Sequence, residues 1–177
     1  MKNIVLVGFM GTGKTAVGKR IAQRLGRHFV DTDTEIERVT GKTIPQIFTQ
    51  YGEIRFRSEE RLIIQKLSCR EGLVIATGGG VVLNPDNVAD LKRNGIIICL
   101  CARPEIIEQR VKGKKNRPLL PKKEDLRQRI KEMLAKREPF YAVADFTLET
   151  DNKSLDEVIN QIISYLNLSS AKEEKSF

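Results

Sequence analysis

An apolar run, a glycine-bounded loop and a lysine open this chain, and together they constrain its fold more than any other feature. Asn3–Gly8 reads NIVLVG, and Gly8-Phe-Met-Gly-Thr-Gly13-Lys14-Thr15 follows from its last residue. The pattern is G-x-x-x-x-G-K-[ST], set between a short buried strand and a helix, which is the context such a loop needs. Glycines let the backbone wrap closely around phosphate oxygens. The helix that follows points N–H donors and partial positive charge at them. Lys14 is then placed to reach the outer phosphates, and the Thr15 hydroxyl to bind Mg²⁺. With glycine near 7% of ordinary sequence, a chance match somewhere in the chain has odds of about one in a hundred or less.

Beyond this loop, strands and helices alternate. A helix is expected from Lys14 to Leu25, with Val17, Ile21, Ala22 and Leu25 on one face, stopped by Gly26. Phe29–Asp31 reads as a second strand. Thr34–Val39 and Ile44–Tyr51 read as short helices separated by Gly41. Glu53–Cys69 is a longer helix with Leu62, Ile63, Leu67 and Cys69 as apolar points, stopped by Gly72. Leu73–Ala76 is a third strand. Asn84 and Pro85 form the N-cap and first residue of a helix that Gly95 ends. Ile96–Cys101 is a fourth strand, Pro104–Val111 and the amphipathic Glu124–Arg137 are helices, and Asp145–Thr150 is a fifth strand. Ser154 and Glu157 make a capping box for a last helix, Leu155–Leu166.

Five short apolar strands separated by helices predict an α/β three-layer sandwich, a five-stranded parallel sheet with helices on both faces. Ligands in such sheets bind at the carboxyl ends of the strands. No repeat or linker interrupts the pattern, so residues 1–168 read as one domain and 169–177 as a polar, frayed tail.

Composition narrows the function. Lys and Arg number 31 against 23 Asp and Glu, a formal balance of +8. Basic residues are scattered along the helices apart from Lys112–Lys123, aromatics are 6%, and there is no Trp, so a base-stacking surface has little support. Small anions fit better than nucleic acid. No apolar run approaches the roughly 20 residues of a membrane span, and the opening segment is not a signal peptide. Cys69, Cys99 and Cys101 lack zinc spacing and read as reduced thiols in a cytoplasmic protein. There is no N-K-x-D guanine motif, and 177 residues is short for a helicase or motor, so a small-molecule kinase with a closing lid fits best. A monomer is expected.

Further motifs suggest a second substrate, each with a plainer alternative. Asp31 and Asp33 could serve Mg²⁺ and an acceptor hydroxyl, or cap the next helix. Arg57 and Glu60 in Phe56-Arg57-x-x-Glu60 could be an ordinary surface pair. Gly78, Gly79 and Gly80 after the third strand suggest close backbone approach to a ligand, or a wide turn. Arg117, in Asn116-Arg-Pro-Leu-Leu120, could swing over the phosphates from a lid at about 112–124, or sit in a solvated basic loop. Arg137, in Arg137-Glu-Pro-Phe-Tyr141, could clamp a carboxylate, or offset a helix dipole. The lone His28 reads as a packing or surface residue, and Phe140 and Tyr141 as anchors of the helix end.

Taken together, GFMGTGKT, DTD, FRxxE, TGGG, the RPLL loop and RxPxY resemble the shikimate kinases in order and spacing, from about Asn3 to Leu166. The resemblance implies a phosphate-loop, nucleoside monophosphate kinase-like fold. It implies transfer of the ATP γ-phosphoryl group to the 3-hydroxyl of shikimate. Gly11, Thr12, Gly13, Lys14, Thr15 and Ala16 would cradle ATP, with Arg110 against the adenine and a late nucleotide contact near Lys153. Thr15 would bind Mg²⁺ with Asp31 in its outer shell. Asp33 would hold the accepting hydroxyl, Arg57 and Arg137 would grip the shikimate carboxylate, Gly78–Gly80 would contact shikimate through Gly79, and Glu60 would orient Arg57. Lys14, Asp33 and Arg117 would be the catalytic set, and the substrate-binding subregion would span about 32–61. The strand before TGGG lacks a terminal Asp, which leaves Asp31 to serve the metal. A gluconate-type kinase and a non-catalytic ATP-binding regulator are the competing readings.

Overall fold

Strand β1 (Asn3–Val7) is buried at every residue, as a central parallel strand covered on both faces must be. Ile4 and Leu6 point to one face and Val5 and Val7 to the other. The computed structural model describes residues 1–112 and 126–174. After β1 the chain runs through α1 (Lys14–Leu25), β2 (His28–Asp31), α2 (Thr32–Thr40), α3 (Ile44–Ser68) and β3 (Leu73–Ala76). A 3-10 turn (Val81–Leu83), α4 (Pro85–Arg93), β4 (Gly95–Cys101), α5 (Pro104–Val111), α6 (Leu126–Tyr141), β5 (Phe146–Glu149) and α7 (Leu155–Glu174) complete it.

The five strands are all parallel, in the order β2-β3-β1-β4-β5. From β1 the chain passes to the edge strand β2, returns to β3, then crosses β1 to reach β4. This reversal sets the carboxyl ends of β1 and β3 side by side at the centre of the sheet, where ligands bind in folds of this kind. Val17 and Ile21 of α1 join Val158, Ile159 and Ile162 of α7 in the core against Ile4 and Leu6. Ile36, Ile63, Ile64 and Leu91 from α2, α3 and α4 pack on Val5, Val7 and Ile97. A third cluster, Phe9, Met10, Ile107, Val111, Ile130 and Met133, ties the loop after β1 to α5 and α6.

Several element boundaries differ from expectation. The last helix continues beyond Leu166 to Glu174, so the tail expected to fray is largely helical. Helix α6 runs through Pro139 to Tyr141 instead of ending at Arg137. Leu25 and Leu62 are 37% and 55% exposed, outside the apolar faces to which the periodicity assigned them. Gly95 does not end α4. It is the first residue of β4, where a Cβ would lie 2.5 Å from the Leu91 carbonyl oxygen, so the position demands smallness, not a positive φ. The split expected between Tyr51 and Glu53 is borne out: Gly52, with a φ of 78° and ψ of 176°, is non-helical and breaks the 44–68 element in two.

Gly8 shows why the loop must start with glycine. Its φ is 134°, and a Cβ would stand 2.1 Å from the Leu100 carbonyl oxygen of β4. Gly8→Ala is expected to lower unfolding stability by more than about 2 kcal/mol, from strain and forced separation of loop and strand. Urea denaturation checks this; an unchanged midpoint would show that the two segments part freely.

Candidate active site

The carboxyl ends of β1, β2 and β3 surround a cavity of about 540 Å³. Gly11, Gly13, Lys14, Thr15 and Ala16 line it together with Asp33, Arg57, Glu60, Gly78–Gly80 and Arg137.

On the loop side, α1 begins at Gly13 with φ of 98° and carries no acidic residue in its first turn. Its N-terminal N–H groups and dipole are therefore not offset by a carboxylate of the helix's own first turn. Lys14 is 8% exposed, and its ammonium donates to the Gly8 and Phe9 carbonyls at 2.8 and 2.9 Å. Thr12 points its hydroxyl back into the loop, donating to the Phe9 carbonyl at 2.8 Å.

Asp31 caps the next helix, the plainer of the two readings its sequence position offered, and also meets the phosphate loop. Oδ1 caps α2, accepting from the Asp33 and Thr34 N–H groups at 3.1 and 3.4 Å. Oδ2 accepts from the Thr15 hydroxyl at 2.7 Å. That bond spends the Thr15 proton on Asp31 and leaves the hydroxyl lone pairs for a cation.

The acceptor side owes its shape to the glycine triplet. A Cβ on Gly78 would lie 2.9 Å from both Asp33 Oδ1 and Glu60 Oε1. One on Gly80 would lie 2.7 Å from both Arg57 terminal nitrogens. The glycines thus make room for the site's own side chains. Gly80→Ala is expected to displace Arg57 and weaken acceptor binding about tenfold, with the nucleotide KM unchanged. Steady-state kinetics with each substrate varied will check it; equal effects on both substrates would place the damage in the fold.

Arg57 donates to Glu60 Oε2 at 2.9 Å through Nη1, and to Glu53 Oε1 at 3.2 and 2.8 Å through Nε and Nη2. Burial opposes the Arg57 charge, but the two glutamates outweigh it and hold the pKa above its usual value. Glu60 is 1% exposed, and burial pushes its carboxyl up, with the Asp33 charge adding to the rise and Arg57 opposing it. The pair is far from the exposed helix-surface pair its i, i+3 spacing resembles.

Arg137 of α6 sits over the ring of Phe9 in the phosphate loop and donates to the Gly79 carbonyl at 3.3 Å. Tyr141, four residues on, donates to the same carbonyl at 2.7 Å. Burial pushes its hydroxyl up to about 12, so it stays protonated and remains a donor. Tyr141, expected only to anchor the helix end, thus also reaches the cavity's glycine backbone. Its i, i+4 spacing from Arg137 was the signal that both reach one target.

Arg110 of α5 donates to the Gly11 carbonyl at 3.4 Å, and to the Thr150 hydroxyl and carbonyl at 3.1 and 3.3 Å. This places it between the phosphate loop and the end of β5. Lys153 donates to the Glu149 carbonyl at 2.8 Å. Arg117 and the lid expected at about 112–124 lie outside the described residues, apart from Lys112. Cys99 faces the core, where burial pushes its thiol up to about 12 and keeps it unreactive. Among the described residues, no group of three or more His, Cys, Asp or Glu could hold a metal ion.

Comparison with known proteins shows the family. A family model described as shikimate kinase matches residues 10–167. The shikimate kinase of Pelotomaculum thermopropionicum is 60% identical over 94% of this chain and 96% of its own. That of Desulforudis audaxviator is 54% identical over 94% of this chain and 87% of its own. Among solved structures, the shikimate kinase of Acinetobacter baumannii in complex with shikimate superposes with a TM-score of 0.90 at 43% identity, covering 96% of this chain and 94% of that one. A gluconokinase from Sinorhizobium meliloti matches with a TM-score of 0.63 at 14% identity, which is a likeness of fold alone.

Proposed function

This chain belongs to the shikimate kinase family, and we propose that its cleft carries out the family reaction with the residue roles that follow. The reaction moves the γ-phosphoryl group of ATP to the 3-hydroxyl of shikimate, giving 3-phosphoshikimate and ADP. One observation carries the reading. The phosphate-loop Lys14, the Asp33 carboxylate and two arginines from different elements, Arg57 and Arg137, all line one cavity.

In this reading the backbone of Gly11–Ala16 cradles the phosphates, and Lys14 exchanges its carbonyl partners for phosphate oxygens. Arg110, already fixed between Gly11 and Thr150, lies against the adenine. Arg57 and Arg137 grip the shikimate carboxylate. Their planar guanidinium forks orient the ring as well as attract it. Tyr141 and Arg137 together engage the Gly79 carbonyl and so fix the glycine backbone that contacts shikimate. Asp33 holds the accepting hydroxyl toward the γ-phosphate. A loose phosphoryl-transfer transition state depends mainly on such positioning and on charge stabilisation. Arg117 would add a cation from the lid.

Mg²⁺ is proposed as the cofactor, with Thr15 and Asp31 as its residues. The fit is chemical: a hydroxyl whose proton is committed to Asp31, and a carboxylate beside it, offer the hard oxygen donors Mg²⁺ takes alongside phosphates. When bound, the ion neutralises charge on the transferring phosphoryl oxygens. The monomeric state and cytoplasmic location expected from the sequence remain part of this proposal. Among the described residues no helix is long and apolar enough to cross a membrane.

The test is ADP release from ATP and Mg²⁺ with shikimate, gluconate or no acceptor. Release that requires shikimate is expected. Release with gluconate alone would overturn the acceptor pocket, and release independent of any acceptor would leave only nucleotide hydrolysis.

A further inference from the structure

Arg57 has five N–H donors, and their allocation shows what is left for a ligand. Glu53 Oε1 accepts from Nε and from Nη2, and Glu60 Oε2 accepts from Nη1. Those three bonds leave one N–H on each terminal nitrogen with no partner among the described residues. The guanidinium end packs against Gly80, a residue of the cavity wall, since a Cβ there would stand 2.7 Å from Nη1 and Nη2 and 2.9 Å from Cζ. Two glutamates of its own helix therefore hold Arg57, which lines the cavity with two N–H groups still able to meet a carboxylate.

The two glutamates differ. Glu60 is fully buried, whereas the Glu53 side chain is 52% exposed. An exposed pair adds little to fold stability, so Glu53 has no strong structural reason to be there. Its placement depends on Gly52, whose non-helical backbone breaks α3 just ahead of it. Glu53 thus opens a new helical run and lies one turn below Arg57, with Glu60 one turn above on the same face.

We propose that Glu53 is a positioning residue for acceptor binding: it holds the Nε side of Arg57 so that the terminal edge stands ready for the shikimate carboxylate. A free arginine side chain has many rotamers, and fixing it beforehand removes part of the ordering cost of binding. The proposal rests on the reading that Arg57 binds that carboxylate.

Three variants test it in steady-state assays with shikimate and ATP varied separately. Glu53→Ala is expected to raise the shikimate KM about five- to tenfold, with kcat changed less than about twofold and the ATP KM unmoved. Thermal denaturation should show an unaltered fold. Glu53→Gln, whose amide oxygen still accepts from Nε, should restore most of the shikimate affinity. An unchanged or lower shikimate KM in Glu53→Ala would overturn the proposal; the lower value would make Glu53 a competitor of the substrate. A raised KM that Glu53→Gln does not correct would overturn the hydrogen-bond account. Arg57→Ala, run in parallel, separates the levels. If it raises the shikimate KM and Glu53→Ala does not, only the positioning role falls. If Arg57→Ala leaves that KM unmoved, the carboxylate reading fails and this inference falls with it.

Discussion

Lys14→Ala is expected to lower kcat by about a thousandfold or more while the fold survives. The side chain sits at the mouth of α1, where the N-terminal dipole and the loop N–H groups already favour negative charge. Its ammonium is the mobile cation of that cradle, held by two loop carbonyls that it can exchange for phosphate oxygens. Lys14 itself is only 8% exposed, and a positive charge shielded from water acts on developing phosphoryl charge more strongly than in bulk solvent. Removing it also frees the Gly8 and Phe9 carbonyls, but the Thr12 hydroxyl and N–H still donate to Phe9. The loop should therefore keep its shape, which circular dichroism and ATP-dependent stabilisation against heat would report. Near-native turnover in a folded Lys14→Ala protein would remove Lys14 from the reaction.

Arg57→Ala should raise the shikimate KM by about 30- to 150-fold, the effect of losing a charge-assisted, forked contact of roughly 2–3 kcal/mol. ATP affinity should be unaffected, because Arg57 bonds Glu53 and Glu60 of its own helix and no residue of the phosphate loop. The substitution also strips Glu60, 1% exposed, of its hydrogen-bonded cation, so some stability will be lost with the affinity. Arg57→Lys separates the two effects. It keeps a charge beside Glu60 but not the planar fork, and should restore most of the stability while recovering only part of the binding. Shikimate titrations and urea denaturation on both variants check this. Equal affinity of Arg57→Ala and the native protein would sink the carboxylate clamp.

The parts of the site that were legible in the sequence are those that a short segment encodes by itself. The phosphate loop needs only a strand, spaced glycines, a lysine and a helix, and all are contiguous. The parallel sheet was legible because each strand is a short apolar run with a helix on either side. Legibility failed where a residue's neighbours come from distant segments. Arg57 and Glu60 look like a surface pair in one helix. Only the packing of α3 against the end of β3 buries Glu60 and brings it beside Asp33. Leu62 looks like a core residue by period and is 55% exposed. The break at Gly52 was legible as a glycine between two apolar patterns, but its effect on Glu53 was not.

The glycine triplet shows where the boundary lies. The sequence determined that three residues without side chains follow a buried strand, and so that something must approach that backbone closely. It could not say what. The tertiary structure decided that the crowding groups are the site's own, namely Asp33 and Glu60 over Gly78, Arg57 over Gly80, and Arg137 with Tyr141 on the Gly79 carbonyl. The physical reason is range. Backbone conformation, capping and apolar period are set by neighbours a few residues away. The burial of a charge, and the partner that makes the burial tolerable, depend on atoms tens of residues distant that meet only once the sheet has formed.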